Sequence, residues 1–436
     1  MARPSINVGL IGCGTVGIGV ARALLDKPHL LERRLGARLA LRRACDRDLR
    51  RPGVERIPKD RLTTDASDVL RDPEIQVVVE LIGGLEPAKS FILEAMRRGK
   101  HVVTANKALL AEAGRELFAA ADRCGVDLYF EAAVGGCIPI IKILRESLVA
   151  NELNTILGIV NGTSNYILTQ MREQQVSFHE AVSQAKQHGY AEANPSLDTQ
   201  GHDAAHKLAI LALLGFGTRV HPDDIHTEGI DHLSLADIQY ADELGYCVKP
   251  LAIAKQVDHE LEVRVHPTLL EKSHLLANVN GVYNAIYLHG DMVGAELFYG
   301  RGAGQNPAAS SVLSDLGDLA RNLAKGIAKR ILSYCPAPRT LRLRTMGAIE
   351  TRYYLRFMVI DKPGVLAKIA GVLGRHGISI ASVHQKERRA AKIVPVVIMT
   401  HEAREADVRR ALAAIEALHV AKSMPVAIRT EASRAT

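Results

Sequence analysis

Asp203 and Lys207 stand four residues apart within residues 197–214, LDTQGHDAAHKLAILALL, at the front of an apolar run. On a helix that spacing puts both side chains on one face. An acid and an amine held together beside a surface that must be buried have shifted pKa values, which is how proteins prepare proton donors. An exposed ion pair would show the same spacing, so the pair gains meaning only from its surroundings. A second signal lies near the start of the chain. Ile6-Asn7-Val8-Gly9-Leu10-Ile11 reads as a buried strand, and Gly12-Cys13-Gly14-Thr15-Val16-Gly17 follows it directly, opening an alanine- and leucine-rich helix. This is G-x-G-x-x-G in the strand-turn-helix setting that dinucleotide binding requires. Gly12 makes the tight turn, Gly14 lets backbone approach a pyrophosphate, and Gly17 lets helix pack closely on strand. The helix start, with Thr15 and Val16 in its first turn, offers N–H groups and a positive dipole end to phosphates.

These side chains need a large scaffold, and 436 residues predict two or three domains rather than one core. Apolar residues make up 47% and charged residues 24%, ordinary values for a globular protein. The net charge of +7 is scattered among acidic residues, tryptophan is absent and aromatics reach only 4%, so no nucleic-acid partner is expected; the basic surface suits small anionic ligands. The longest apolar run, 208–214, falls far short of the roughly 18 residues a membrane span needs, so no membrane partner is expected either. Strand-forming sequence from about residue 5 leaves no room for a signal segment. Cysteines at 13, 45, 124, 137, 247 and 335 are isolated, without zinc-ligand spacing or a disulfide framework, which predicts a reducing cytoplasm.

From residue 5 to about 135, short apolar runs at 37–45, 75–81, 101–104 and 127–132 alternate with helical stretches at 86–98 and 108–124. This order predicts an α/β, Rossmann-type doubly wound parallel sheet, with ligands at the strand carboxyl ends, where Gly12, Asp46, Gly83-Gly84 and Asn106-Lys107 fall. After Pro139 the pattern becomes an irregular α+β one, with helices at 139–149, 178–188 and 200–214 and strands at 155–161, 250–257, 261–265 and 281–289. A long helix over about 306–332 returns the chain to the nucleotide domain. Residues 334–350, with Pro336 and Pro338, read as a linker. Beyond them, 353–360, 365–374, 378–387, 393–400, 405–418 and 424–429 follow the ferredoxin-like βαββαβ order. The predicted domains are 1–138 (completed by the helix at about 306–333), 139–305 and 351–430.

Several dispersed motifs, in order, resemble the homoserine dehydrogenase family over about residues 5–333. The diagnostic run is Gly189-Tyr190-Ala191-Glu192 through Asp198, Gly201, Asp203 and Lys207. Thr104-Ala105-Asn106-Lys107, Glu131 through Gly136, Asn161-Gly162-Thr163-Ser164-Asn165-Tyr166-Ile167-Leu168 and Gly302-Ala303-Gly304 support it. Asp361-Lys362-Pro363-Gly364-Val365-Leu366 and His376-Gly377-Ile378-Ser379-Ile380 resemble an ACT domain over 351–430.

The resemblance implies interconversion of L-homoserine and L-aspartate 4-semialdehyde with NAD or NADP, on the route to threonine, methionine and isoleucine. Hydride transfer at an alcohol carbon needs a group that takes or returns the hydroxyl proton. Lysine suits this once desolvation and neighbouring positive charge lower its pKa from ~10.4. By resemblance Lys207 is that group, Lys107 polarises the substrate oxygen or shares the transfer, Glu192 takes the substrate ammonium, Asp203 contacts substrate and holds Lys207, and Thr163 and Tyr190 add contacts. Gly83, Thr104, Gly189 and Gly304 join the glycine-rich turn at the cofactor. Glu131, Val134, Gly136 and Ile138 match a monovalent-cation site, for Na or K, of structural role. Cys137 and Asn194 depart from the family pattern outside this set.

Asp46 would accept bonds from the NAD ribose and repel a 2′-phosphate, whereas Arg47 could pair with one; the extra loop at 27–36 places Asp46 29 residues after Gly17, longer than the usual ~20, so both cofactors stay open, with a slight lean to NAD. His202 and His206 read as structural. The ACT resemblance implies threonine as effector and a homo-oligomer, dimer or tetramer. Two alternatives stand beside this reading: an inactive amino-acid sensor on the same scaffold, and a dehydrogenase of another small amino-acid semialdehyde.

Overall fold

A strand read by the sequence as buried on both faces needs helices above and below it, and this is how the first sheet is built. In the computed structural model, which describes residues 4–335, 341–385 and 393–431, six strands run parallel in the order Leu62–Thr63, Arg38–Cys45, Ser5–Ile11, Val77–Glu80, His101–Thr104 and Leu128–Tyr129. The chain order reverses between Ser5–Ile11 and Val77–Glu80, which opens a crevice at their carboxyl ends. Val8, Leu10, Val77, Val79 and Val103 form the core with Val20 and Ala21 of helix Thr15–Asp26. Val312, Leu316 and Leu319 of the distant helix Gln305–Leu323 enter the same core.

The described parts of 1–153, 206–224 and 284–340 form one compact unit, and those of 154–205, 225–283 and 341–436 another. Among the described residues no helix is long and apolar enough to cross a membrane.

Three stretches of the first unit differ from expectation. Residues 27–36 are a helix, Pro28–Leu35, rather than a loop: Pro28 fits the first turn, where its missing N–H costs nothing, and Gly36 at φ +73° stops it. The helix expected to reach 332 ends at Leu323, because Gly326 turns left-handed at φ +66° and its N–H, with that of Ile327, closes back on Leu323 and Asn322. The expected helix 139–149 is α-helical only over Ile140–Lys142 and then widens to a π-turn, Ile143–Ser147.

The second unit carries a mixed sheet in which Leu153–Ile159, Tyr246–Val257, Glu260–Glu271, Val426–Glu431, Tyr353–Ile360, Ile393–Thr400 and Ile380–His384 are successive neighbours. Tyr246–Val257 and Glu260–Glu271 are twelve-residue partners, longer than the sequence pattern predicts. Pro250 and Pro267 break the strand signal, yet they pair opposite each other, so both missing donors fall at one place in the ladder. Helices Gly162–Glu173 and Leu235–Glu243 have no counterpart in the sequence reading. Part of the expected linker is structured, since Arg342–Leu343 pairs with Glu260–Leu261; residues 336–340 and the end of the expected strand 378–387 lie outside the described residues.

The last four strands with helices Val365–Arg375 and Glu405–Ala417 make the βαββαβ module. Its sheet continues the rest of the unit's sheet, because Val426–Glu431 pairs in parallel with Glu260–Glu271. Buried charges line this seam. Asp237 accepts from Arg356 Nη2 at 2.9 Å and from the Tyr354 hydroxyl at 3.1 Å. Arg264 bonds Glu431 at 2.9 Å, and Arg429 bonds Glu405 and Glu228.

Burial alone would raise the carboxyl pKa values here, but the bonds and charge of the facing arginines outweigh it. Glu405 is held at about 2, and Asp237 and Glu228 are also lowered. A carboxylate with a depressed folded pKa contributes stability that is present above its unfolded value, near 4.5 for glutamate, and lost as pH falls through the folded one. Glu405 alone accounts for on the order of 3 kcal/mol. The midpoint of thermal melts by circular dichroism should therefore fall steeply below pH 4. A midpoint unchanged down to pH 3 would contradict this account.

Candidate active site

The glycine-rich turn is built as its sequence requires. Gly12 has φ +103°, and a Cβ there would lie 2.7 Å from the Leu81 carbonyl; a Cβ on Gly17 would lie 1.9 Å from the Gly12 oxygen. Gly14 is different, since its Cβ would meet only Arg51 Nη1, at 3.6 Å, so its bareness leaves room for a ligand. Helix Thr15–Asp26 has no side-chain cap and no acid in its first turn, where Thr15 is exposed and Val16 half-buried; its N–H groups therefore remain available to phosphate. The adjoining crevice, about 580 Å³, is lined by Gly12, Gly14, Asp46, Arg47, Arg51 and Ile82 among others. Asp46 is fixed as an acceptor: Oδ2 receives the Cys13 N–H at 2.7 Å, Oδ1 the Asp48 N–H at 3.0 Å, and Arg51 Nε lies 3.5 Å from Oδ1.

A buried acid organises the neighbouring strand ends. Glu80, with no exposed surface, accepts from the N–H groups of Ile82 and Gly83 at 2.8 and 3.2 Å and from the Thr104 hydroxyl at 2.7 Å. Thr104 in turn accepts from the Asn106 N–H at 3.0 Å. Asn106 donates to the Gly84 carbonyl at 2.7 Å and caps the Leu109 N–H at 3.2 Å, which places Lys107 as the first residue of helix Lys107–Cys124. Gly304, at φ +120°, opens helix Gln305–Leu323 in the same unit.

Glu131 spends its carboxylate on backbone, accepting from Ile141 and Lys142 at 2.8 and 2.9 Å, while its own N–H donates to Asp315 at 2.9 Å. Burial pushes Glu131 up to about 7 against those bonds, and pushes Asp315 well above the carboxylate range. The Gly136 carbonyl accepts from Ser311 at 2.7 Å and that of Gly135 from Ile138; Val134 is fully buried.

In the second unit Asn161 is saturated. Its carbonyl caps helix Gly162–Glu173 at Ser164, and its amide donates to Asp198 at 2.7 Å and Asp203 at 2.8 Å. Ser164 Oγ donates to the Asp198 carbonyl at 2.9 Å. The Thr163 hydroxyl donates to the Tyr190 carbonyl at 2.8 Å, and the Tyr190 ring stacks on His188 beside Tyr166. Gly189, at φ +72°, turns the chain just before it, and Glu192 is exposed. Helix His202–Phe216 carries Asp203 and Lys207, with residue exposures of only 4% and 8%, which rules out the surface ion pair. His202 is exposed and His206 half-buried on that helix.

A crevice for a dinucleotide and a buried acid and lysine on one helix are what a dehydrogenase needs, and relatives decide which one. Residues 139–316 match the family described as homoserine dehydrogenase, 12–131 its NAD-binding domain and 353–419 the ACT domain. A homoserine dehydrogenase of Pseudomonas aeruginosa is 45% identical over 438 residues, covering 98% of this chain and 99% of that protein. The chain belongs to the homoserine dehydrogenase family. The solved homoserine dehydrogenase of Thiobacillus denitrificans superposes with a TM-score of 0.92 at 44% identity, covering 98% of each chain. A hyperthermophilic archaeal homoserine dehydrogenase in complex with NADPH matches 72% of this chain and 96% of its own at TM-score 0.61 and 25% identity. The chain is therefore an oxidoreductase interconverting L-homoserine and L-aspartate 4-semialdehyde with a nicotinamide cofactor, and it carries an ACT module.

Four residues escaped the sequence reading of this homoserine dehydrogenase. Glu80 was signalled only as an acid ending an apolar strand, and Asn161 only as the first letter of a motif. Asn106 was placed at a strand end and in a motif but given no role, and Arg51 gave no signal. Asn161→Ala should leave Asp198 and Asp203 repelling each other and lower kcat about 100-fold, as expected when a catalytic group moves by an ångström; a kcat within threefold of wild type would contradict the bridging role. Gly12→Ala should weaken dinucleotide binding at least tenfold by fluorescence titration, since its Cβ collides with backbone, and unchanged affinity would count against this account of the turn.

Proposed function

We propose that Lys207 moves the proton in the homoserine dehydrogenase reaction, with the buried helix it shares with Asp203 as the supporting observation. In the oxidation direction Lys207 removes the hydroxyl proton of homoserine; in reduction it returns it. Lys107 polarises the reacting oxygen. Asp203, held by Asn161, orients Lys207 and contacts the substrate, while Glu192, exposed and without an ion pair among the described residues, receives the substrate ammonium. Thr163 and Tyr190 shape the pocket. The nicotinamide, when bound, accepts or supplies the hydride; Gly12, Gly14, Thr15, Val16, Gly17, Gly83, Thr104, Gly189 and Gly304 are its contacts.

NAD is proposed as the preferred cofactor, because the Asp46 carboxylate, already oriented by two N–H groups, remains an acceptor for ribose hydroxyls. Arg47 and Arg51 on the same crevice allow NADP as a weaker alternative. A monovalent cation, Na or K, fits the carbonyls of Val134, Gly136 and Ile138 beside Glu131, since it would relieve the cost of burying that carboxylate. Threonine is the proposed effector of the ACT module, in a homo-oligomeric, dimeric or tetrameric, cytoplasmic enzyme.

One assay tests the core of this reading: aspartate semialdehyde reduction with NADH and with NADPH, with and without threonine. Turnover should be faster per KM with NADH and should fall with threonine. Lys207→Ala should lose at least three orders of magnitude in kcat while still binding cofactor; near-normal rates would transfer the proton step to Lys107.

A further inference from the structure

The helix carrying Asp203 begins at a turn with no spare room. Gly201 has φ +86°, and a Cβ there would lie 2.9 Å from Thr227 Cγ2 and 3.0 Å from Val265 Cγ1. A Cβ on Gly229 would lie 2.8 Å from the Thr199 oxygen and 2.9 Å from Gln200 Cα, and the Ile230 N–H donates to that same Thr199 oxygen at 2.8 Å. Residues 226–230 are therefore pressed along residues 199–201, the turn that separates Asp198 from Asp203. They are tied behind to the long sheet, since His226–Thr227 pairs with Arg264–Val265 and the Glu228 N–H donates to the Val265 carbonyl at 2.8 Å.

Within this segment, Glu228 makes the charged tie to the C-terminal module, beside Ile230, which shares a buried core with Tyr354, Val397 and Ile428. The two Glu228 oxygens receive Nη1 and Nη2 of Arg429 at 2.8 Å each, and one also contacts His226 Nε2 at 2.7 Å. Arg429 comes from the last strand of the ACT module and is buried. Its remaining donors go to Glu405 on the module's second helix, at 2.8 and 2.7 Å. One guanidinium thus ties a helix and a strand of the regulatory module to the backbone that braces the catalytic turn.

We infer that Arg429 is a positioning residue for the reaction: by holding Glu228 it fixes residues 226–230 against Thr199–Gly201, and so sets where Asp203 stands. The ACT module is in this sense a wall of the catalytic unit as well as an effector domain. The inference takes its reaction from the homoserine dehydrogenase assignment and Asp203's substrate contact from the reading above; it does not require threonine to be the effector.

Removing Arg429 outright strands two buried carboxylates, so the test uses Arg429→Lys, which keeps the charge but loses the fork, and Glu228→Gln, which keeps the shape but loses the charge. Lys255→Met is the control. It breaks an ion pair to Glu431 on the same strand as Arg429, but Glu431 makes no bond to residues 226–230. For both test variants, homoserine kcat should fall at least tenfold and homoserine KM rise, while the NADH dissociation constant stays within twofold of wild type. Lys255→Met should keep wild-type kcat and KM. Folded Arg429→Lys and Glu228→Gln proteins with wild-type kcat and KM would overturn the inference, as would an equal loss in Lys255→Met, which would make the effect general loosening of the seam. Where threonine inhibits the wild type, its half-inhibiting concentration should rise at least tenfold in the two test variants only. A wild type that turns over but ignores threonine refutes the threonine reading alone, and the kcat and KM comparison still decides the role of Arg429.

Discussion

The side-chain amide of Asn161 holds two carboxylates five residues apart on the chain, and the turn before helix His202–Phe216 depends on it. Asp198 and Asp203 would repel each other, and Asp203, nearly out of water, would be costly to keep ionised without a donor. Asn161 is the right residue because it has two N–H groups for two acids and a carbonyl left over to cap the next helix. A single residue thereby couples the start of helix Gly162–Glu173 to the turn before His202–Phe216. Thr163 and Ser164, the next side chains on the capped helix, fasten to the Tyr190 and Asp198 carbonyls, so the segment 189–203 is held at both ends.

The nucleotide unit solves an equivalent problem with one acid and several backbone donors. Glu80 is wholly buried at the end of a strand, yet three donors converge on it, and each belongs to a segment that must be placed: the 82–83 loop twice and Thr104 once. The order then passes from Thr104 to Asn106 and from Asn106 to the cap of the helix that begins at Lys107. Low local dielectric strengthens every member of such a chain and penalises any missing one. The strand ends together therefore place the start of the helix at Lys107.

What was legible in the sequence was local. The three glycines of the turn lie within six residues, and each has a steric cause that acts on its immediate neighbours, so the motif could be read with its physics. Asp203 and Lys207 share a helix, and periodicity exposes such pairs. Alternation of apolar runs gave the parallel sheet, and the order of elements gave the terminal βαββαβ module. The misreadings lie at prolines: the expected loop at 27–36 is a helix that Pro28 starts, and the strands expected over 250–257 and 261–265 extend through Pro250 and Pro267. The rest was invisible because it joins distant residues. Arg429 and Glu228 are 201 positions apart, and nothing in either neighbourhood announces the other.

The buried charges of the seam explain how a short strand pairing holds its register. Only Thr268, Leu269 and Leu270 pair with Arg429, Thr430 and Glu431. Three residues of apolar ladder would tolerate a slip of two positions, since side chains would return to the same faces. Arg429 and Glu431 are themselves two apart and face the same side, where Glu228 meets the first and Arg264 the second. A slip of two would leave buried charges unpaired, at a cost of about 3–5 kcal/mol for each pair broken. Buried ion pairs add little net stability over a well-packed apolar seam. Their effect here is to permit one register, and with it one distance between the last strand of the module and the turn before Asp203.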